Sequence, residues 1–138
     1  MSAPAFRFSA VEGRPPLGAI FGAICLVVGT GVVVLHLDRL PVAFCAFKAL
    51  TGLPCPTCGS TRALGRLIVF DLAGAVAMNP LAALVFALVA VWALVDLVLL
   101  PRRRAASLAV HPRLSWGLRL AALVLFLANW VYLLAVGR

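Results

Sequence analysis

Charge is what this chain has least of. Charged residues fill 12% of its 138 positions, against 64% for hydrophobic ones. Acid is scarcest: Glu12, Asp38, Asp71 and Asp96 stand far apart, so there is no carboxylate dyad for acid–base work. The chain also lacks a catalytic triad, a phosphate-binding loop, a nucleic-acid-binding motif, an internal repeat and any low-complexity tract. Hydrolase, nucleotide-binding and nucleic-acid-binding readings therefore have no residues to carry them. A soluble fold is excluded as well. The mean hydropathy is +1.14, and a soluble domain of this length could not hide so much apolar surface. Lipid is the solvent for most of the chain.

What the chain does have is long apolar runs. Residues 17–37 carry no charge, residues 80–100 carry only Asp96, and residues 116–136 carry only Arg119, near the start. Each is close to the roughly 20 residues that a helix needs to cross a bilayer. Backbone in lipid must satisfy its own hydrogen bonds, so these are helices rather than strands. The expected architecture is an all-α integral membrane protein with three transmembrane helices. Residues 17–138 form a single membrane domain, and residues 1–16, with Pro4, Gly13, Pro15 and Pro16, read as a mobile tail. The first run is long for a signal-peptide core, and no small-x-small site with a soluble domain follows, so it reads as a retained helix. Gly18 and Gly22 form a small-xxx-small pair that could admit a neighbouring helix.

The net charge of +8 is explained by placement. Arg102, Arg103, Arg104, Arg113 and Arg119 cluster between the second and third runs. Arginines near helix ends are retained in the cytoplasm, so they read as a topology signal and not as a polyanion site. The amino terminus and the 101–115 loop are expected inside, and the loop between the first two spans outside. Arg39, Lys48, Arg62 and Arg66 in that outer loop pull the other way, but the triplet is more compact and closer to a helix end. The expected partners are the bilayer and other membrane subunits, and no nucleic acid.

Between the first two spans, residues 41–78 read as an interfacial or re-entrant helical element. Residues 42–50 suit a short amphipathic helix, stopped by Thr51-Gly52-Leu53-Pro54. Pro54 and Pro56 bracket Cys55 and restrict its backbone. A helix is expected to start near Cys58 to Ser60, capped by Thr57 or Ser60, and to run to Phe70. Asp71 is expected to cap a further short helix through Met78. Asn79-Pro80 then opens the second span as N-cap and first residue.

Cys55-Pro-Thr-Cys58 allows three readings. It is a dithiol–disulfide pair, with a thiolate favoured by a helix start and by Arg62. It is part of a metal site, in which Cys45, Cys55, Cys58 and His36 make a Cys₃His set suited to zinc; the three cysteines alone could hold part of an iron–sulfur cluster. Or it is structural, with Cys45 bridged to Cys55 or Cys58. Cys25, inside the first span, reads as a small apolar residue. Gly59, Thr61, Arg62 and Arg66 at a helix start could bind an anion such as a lipid phosphate. The plainer alternative is that Arg62 pairs with Asp71 or reaches to headgroups. Asp96 is expected to pair with the arginines that follow it. Asn129 is expected at the depth of the Cys element, within hydrogen-bonding reach of it. Trp130 and Tyr132 read as interface or packing residues.

The string Thr51-Gly-Leu-Pro-Cys55-Pro-Thr-Cys58-Gly-Ser-Thr61-Arg62, followed by Asn79-Pro80, resembles a bacterial family of small membrane proteins of unassigned function. The hallmark is Cys-Pro-x-Cys-Gly-x-Thr-Arg with a later Asn-Pro at the head of a membrane helix, and the likeness covers residues 45 to 100. It implies a small helical membrane protein, of the bacterial inner membrane, and no particular activity. On the residues themselves, the leading expectation is an accessory or scaffold subunit of a larger membrane assembly. The alternatives are a membrane thiol–disulfide oxidoreductase using Cys55 and Cys58, and a lipid or anion binder using Arg62 and Arg66.

Overall fold

The computed structural model describes residues 6–12, 15–37, 45–102, 104–110 and 112–137. In chain order the elements are β1 (Phe6–Glu12), α1 (Leu17–Val34), α2 (Ala46–Thr51), α3 (Ser60–Ile68), α4 (Leu72–Met78), α5 (Pro80–Leu99), β2 (Arg104–Val110) and α6 (Pro112–Ala135). α1, α5 and α6 are long and apolar enough to cross a membrane, as the all-α membrane reading requires. Val27, Leu97 and Val124 are exposed along them, as lipid-facing side chains are. α1 ends at Val34, three residues short of the expected end, and His36 follows in a left-handed conformation with φ 51°. The break expected at Asp38, Arg39 and Pro41, the expected helical residues 42–44, and Pro4, Gly13, Arg14 and Arg103 lie outside the described residues.

The chain forms two compact units. One comprises Met1–Ile24 and Leu88–Leu123. Here β1 and β2 pair antiparallel, with Phe6 opposite Val110 and Glu12 opposite Arg104. Residues 6–12, expected in a tail without regular structure, are therefore a strand. Phe6, Phe8 and Ala10 alternate with Arg7 and Ser9, a two-residue period, and the partner strand lies beyond the second span. Two glycines of α1 let α5 come close. A Cβ on Gly18 would stand 2.7 Å from the Trp92 ring, and one on Gly22 would overlap Ala93. The small-xxx-small pair is a helix-contact face. Asp96 of α5 is fully buried in this unit. Its two oxygens accept the Gly18 and Ala106 backbone N–H groups, each at 2.8 Å. Of the arginines expected to pair with it, Arg103 lies outside the described residues. A first-turn amide of α1 needs an acceptor, and the Asp96 carboxylate supplies it.

The other unit comprises Cys25–Ala87 and Val124–Arg138. Its core is built from small residues: Ala63 of α3, Ala75 of α4 and Ala83 of α5, with Leu67, Met78 and Ala82 against them. Side chains of one carbon let the three helices meet closely. Phe70, left-handed at φ 59°, turns the chain between α3 and α4. Asp71 caps α4 as expected, accepting Gly74 N–H at 2.8 Å, and its other oxygen accepts Arg66 Nη1 at 2.5 Å. α2 starts with the Cys45 sulfur accepting Lys48 N–H at 3.5 Å and ends on Gly52, left-handed at φ 74°. α3 departs from expectation. Its N-cap is Gly59, left-handed at φ 82°, and makes no side-chain cap bond. Thr57 and Ser60 do not fill that position, because the Thr57 hydroxyl is turned to a sulfur.

Candidate functional site

The site grows out of a single tight turn. Cys58 N–H donates to the Cys55 carbonyl at 2.9 Å, closing four residues. Pro54 and Pro56 fix φ on either side of Cys55. Gly59 then takes the left-handed conformation that sends the chain into α3. A Cβ there would sit a tight 3.1 Å from the Met78 carbonyl, so the left-handed conformation calls for glycine and the close approach favours it.

This turn converges the thiols. The Cys55 and Cys58 sulfurs are 3.2 Å apart. Cys58 Sγ accepts Cys55 N–H at 3.1 Å, and Cys55 Sγ lies 3.3 Å from Thr57 Oγ1. Cys45 joins from the head of α2, and the three sulfurs all lie within 4.8 Å of one another. All four cysteines of the chain are free thiols. The pair at the turn is electrostatically unequal. Burial pushes the Cys55 thiol up, but hydrogen bonds from Thr57, Cys58 and Cys45 outweigh it and bring it from 9.0 down to about 7. Burial pushes Cys58 up too, and its hydrogen bond to Cys55 adds to the rise, to about 12. A single negative charge on the pair therefore resides on Cys55, with Cys58 donating to it.

Three side chains hold the turn by its carbonyls. Trp130 Nε1 donates to Pro54 O at 3.0 Å. Asn129 Nδ2 donates to Pro56 O at 3.0 Å. Asn79 Nδ2 donates to Cys58 O at 3.0 Å and to Pro56 O at 3.3 Å. The same asparagines cap α5: Asn79 Oδ1 accepts Ala82 N–H at 2.9 Å and Asn129 Oδ1 accepts Leu81 N–H at 3.1 Å. Both are buried. Each polar atom of these two amides thus finds a partner in a region where water is scarce. Tyr132 adds a bond from its hydroxyl to Ala77 O at 2.9 Å, at the end of α4.

Of the residues expected at the site, Cys45, Cys55 and Cys58 are brought together. His36, expected as a fourth ligand, is not among the ligand atoms gathered there. Gly59 and half-buried Arg62 lie at the start of α3, and Thr61 is exposed beside them. Arg66, one turn on, is engaged by Asp71. Asn129 hydrogen-bonds the Cys element, as its depth in the third span suggested. Trp130 and the outward-reaching amide of Asn79 were not anticipated as site residues. The available signal was the Asn-Trp pair in an otherwise apolar run, since an indole N–H in lipid needs an acceptor.

The arrangement offers two chemistries: three preorganised sulfur ligands, and an unequal dithiol. Residues 45–93 are similar to a family known as DUF2752, described as a protein of unknown function. That stretch takes in the three clustered cysteines, Arg62, Asp71 and Asn79, and ends before Asn129 and Trp130. No curated protein and no solved structure matches the chain.

Proposed function

We propose that this chain is a small accessory subunit of a membrane assembly, of the bacterial inner-membrane type, in which the Cys-bearing turn is a fixed thiol knuckle. The 101–115 loop lies on the cytoplasmic side and the knuckle on the outer side. The observation that carries the reading is the triple clamp on the turn. The buried amides of Asn79 and Asn129 and the half-buried indole of Trp130 donate to the carbonyls of Pro54, Pro56 and Cys58. Such an investment holds one backbone shape, which is what a docking or stapling element needs. The test is the native size of the protein extracted in mild detergent from its own membranes. The wild type is expected to run within a larger assembly, and the Asn129→Ala variant to insert but dissociate from it. A wild type that runs only as its own free chain overturns the accessory role.

A second reading has its own observation, the 3.2 Å approach of two thiols. In it the knuckle exchanges with a disulfide. Cys55 thiolate attacks one sulfur of that disulfide and releases a thiolate. Cys58, losing its proton, then attacks the Cys55 sulfur and releases the second thiolate. The chain is left oxidised and the partner reduced by two electrons. Incubation of the reduced protein with oxidised glutathione tests this. A Cys55–Cys58 disulfide forming with a mixed disulfide trapped in Cys58→Ser supports it, and inert thiols remove it.

A further inference from the structure

Two sulfurs on one clamped knuckle, joined by a third from the head of α2, suit more than a hydrogen-bonded cluster. We infer that Cys45, Cys55 and Cys58 form a binding site for a soft, thiophilic divalent cation of the zinc class. The inference rests on the reading of the turn as a fixed knuckle, and is independent of any accessory role.

Geometry is the first argument. Tetrahedral zinc with Zn–S bonds near 2.3 Å places its sulfurs about 3.8 Å apart. Cys55 and Cys58 are 3.2 Å apart, and no pair of the three exceeds 4.8 Å. Shifts of about 1 Å or less, within the reach of χ1 rotation, bring all three to a common ion. The second argument is the surrounding shell. Backbone N–H groups of Cys55 and Lys48 already point at the sulfurs of Cys58 and Cys45. Amides aimed at sulfur offset thiolate charge, as the outer shell of a metal site does. The third is rigidity. The prolines, the left-handed Gly59 and the three clamps fix the turn before any ion arrives, so little ordering cost remains on binding. Ligand softness selects the class: three thiolates favour zinc over magnesium or calcium, which require oxygen. Three sulfurs fill three of the four tetrahedral positions and leave one for water or a further donor. Binding releases the thiol protons as the thiolates form.

The experiment uses the full chain in detergent, reduced, loaded with zinc chloride and freed of excess by gel filtration. Native mass spectrometry and elemental analysis are expected to give one zinc per chain. Thiol alkylation read by intact mass is the internal check, and needs no variant. The zinc-loaded wild type is expected to be protected at the clustered cysteines and to gain at least one further adduct, at Cys55, once a chelator is added. Replacement by cobalt is expected to produce thiolate-to-metal charge-transfer absorption. Cys45→Ser is expected to lose the zinc, whereas Cys25→Ser and His36→Ala keep it. Zinc well below one per chain, alkylation unchanged by chelator, or full retention in Cys45→Ser overturns the site. Melting separates this from the knuckle reading itself. If chelator leaves the midpoint unchanged while Asn129→Ala lowers it, the knuckle stands and the metal falls. If neither lowers it, the knuckle reading fails too.

Discussion

At Cys55, hydrogen bonds from three residues overcome the penalty of burial, and the consequence can be read with an alkylating agent. The folded value near 7 lies below the ordinary 9.0. The folded state therefore favours the thiolate. That contribution to stability is full above pH 9.0 and fades as pH falls through about 7. Cys58 has the opposite sign: raised to about 12, it favours the thiol, and its contribution is lost only as pH climbs through that value. In reduced, metal-free protein, iodoacetamide is expected to modify Cys55 at a rate rising about tenfold per unit below pH 7 and levelling above it, with Cys58 unmodified throughout. Peptide mapping across pH checks this; equal rates at both thiols contradict it. Asp71 illustrates a different residue-scale balance. The Arg66 guanidinium and the Gly74 amide hold its carboxyl below the usual carboxylate range. Its contribution is thus present at neutral pH and lost only as pH falls through the lowered value. Asp71→Ala is expected to lower the melting midpoint by the same amount at about pH 6 and pH 8.

Helix ends dominate the next scale up. The first turns of the membrane helices are capped from distant elements: α1 by Asp96 of α5, and α5 by Asn129 of α6 together with its own Asn79. Asn129→Ala strands the Leu81 amide and removes one of two donors from Pro56 O. It is expected to cost about 1–3 kcal/mol of stability in detergent, measured by thermal or denaturant unfolding. Asn129→Asp keeps the acceptor for Leu81 but loses the donor, and is not expected to restore the clamp. Helix contact gives a matched pair of variants. Gly22→Val drives methyl groups into Ala93 and is expected to destabilise by about 1–3 kcal/mol. Gly31→Ala, with nothing within 4 Å of the new Cβ, is expected to be neutral or better. A loss at Gly31 equal to that at Gly22 contradicts the contact face. Elements were legible in the sequence where the signal is local. The three apolar runs, the Asp71 cap and the Asn79-Pro80 helix start are local patterns, and the structure has all of them. What escaped was non-local. β1 pairs with a strand beyond the second span, the Asn79 amide serves a turn as well as a cap, and Asp96 accepts amides from two distant elements. Residue type limits what a side chain can bond to, and only the fold decides which of those partners is near.

On the scale of the whole molecule, orientation is the open physical variable with a direct test. The arginines around 102–104 are expected on the cytoplasmic face and the knuckle on the other. A membrane-impermeant maleimide on intact cells is expected to label the knuckle after mild reduction and chelation, and not a cysteine introduced at Arg102. The reverse pattern inverts the topology. Direction along the chain carries a consequence of its own. Trp130 lies 76 residues after Pro54, and Asn129 lies 73 after Pro56. At about 5–20 residues per second of synthesis, Asn129 follows Pro56 from the ribosome by about 4–15 s. For that interval the knuckle is born without two of its three holders, with its thiols at their most accessible. A nascent chain arrested before α6 therefore presents an unfinished cysteine turn. The accessibility of those sulfurs reports whether synthesis has passed α6.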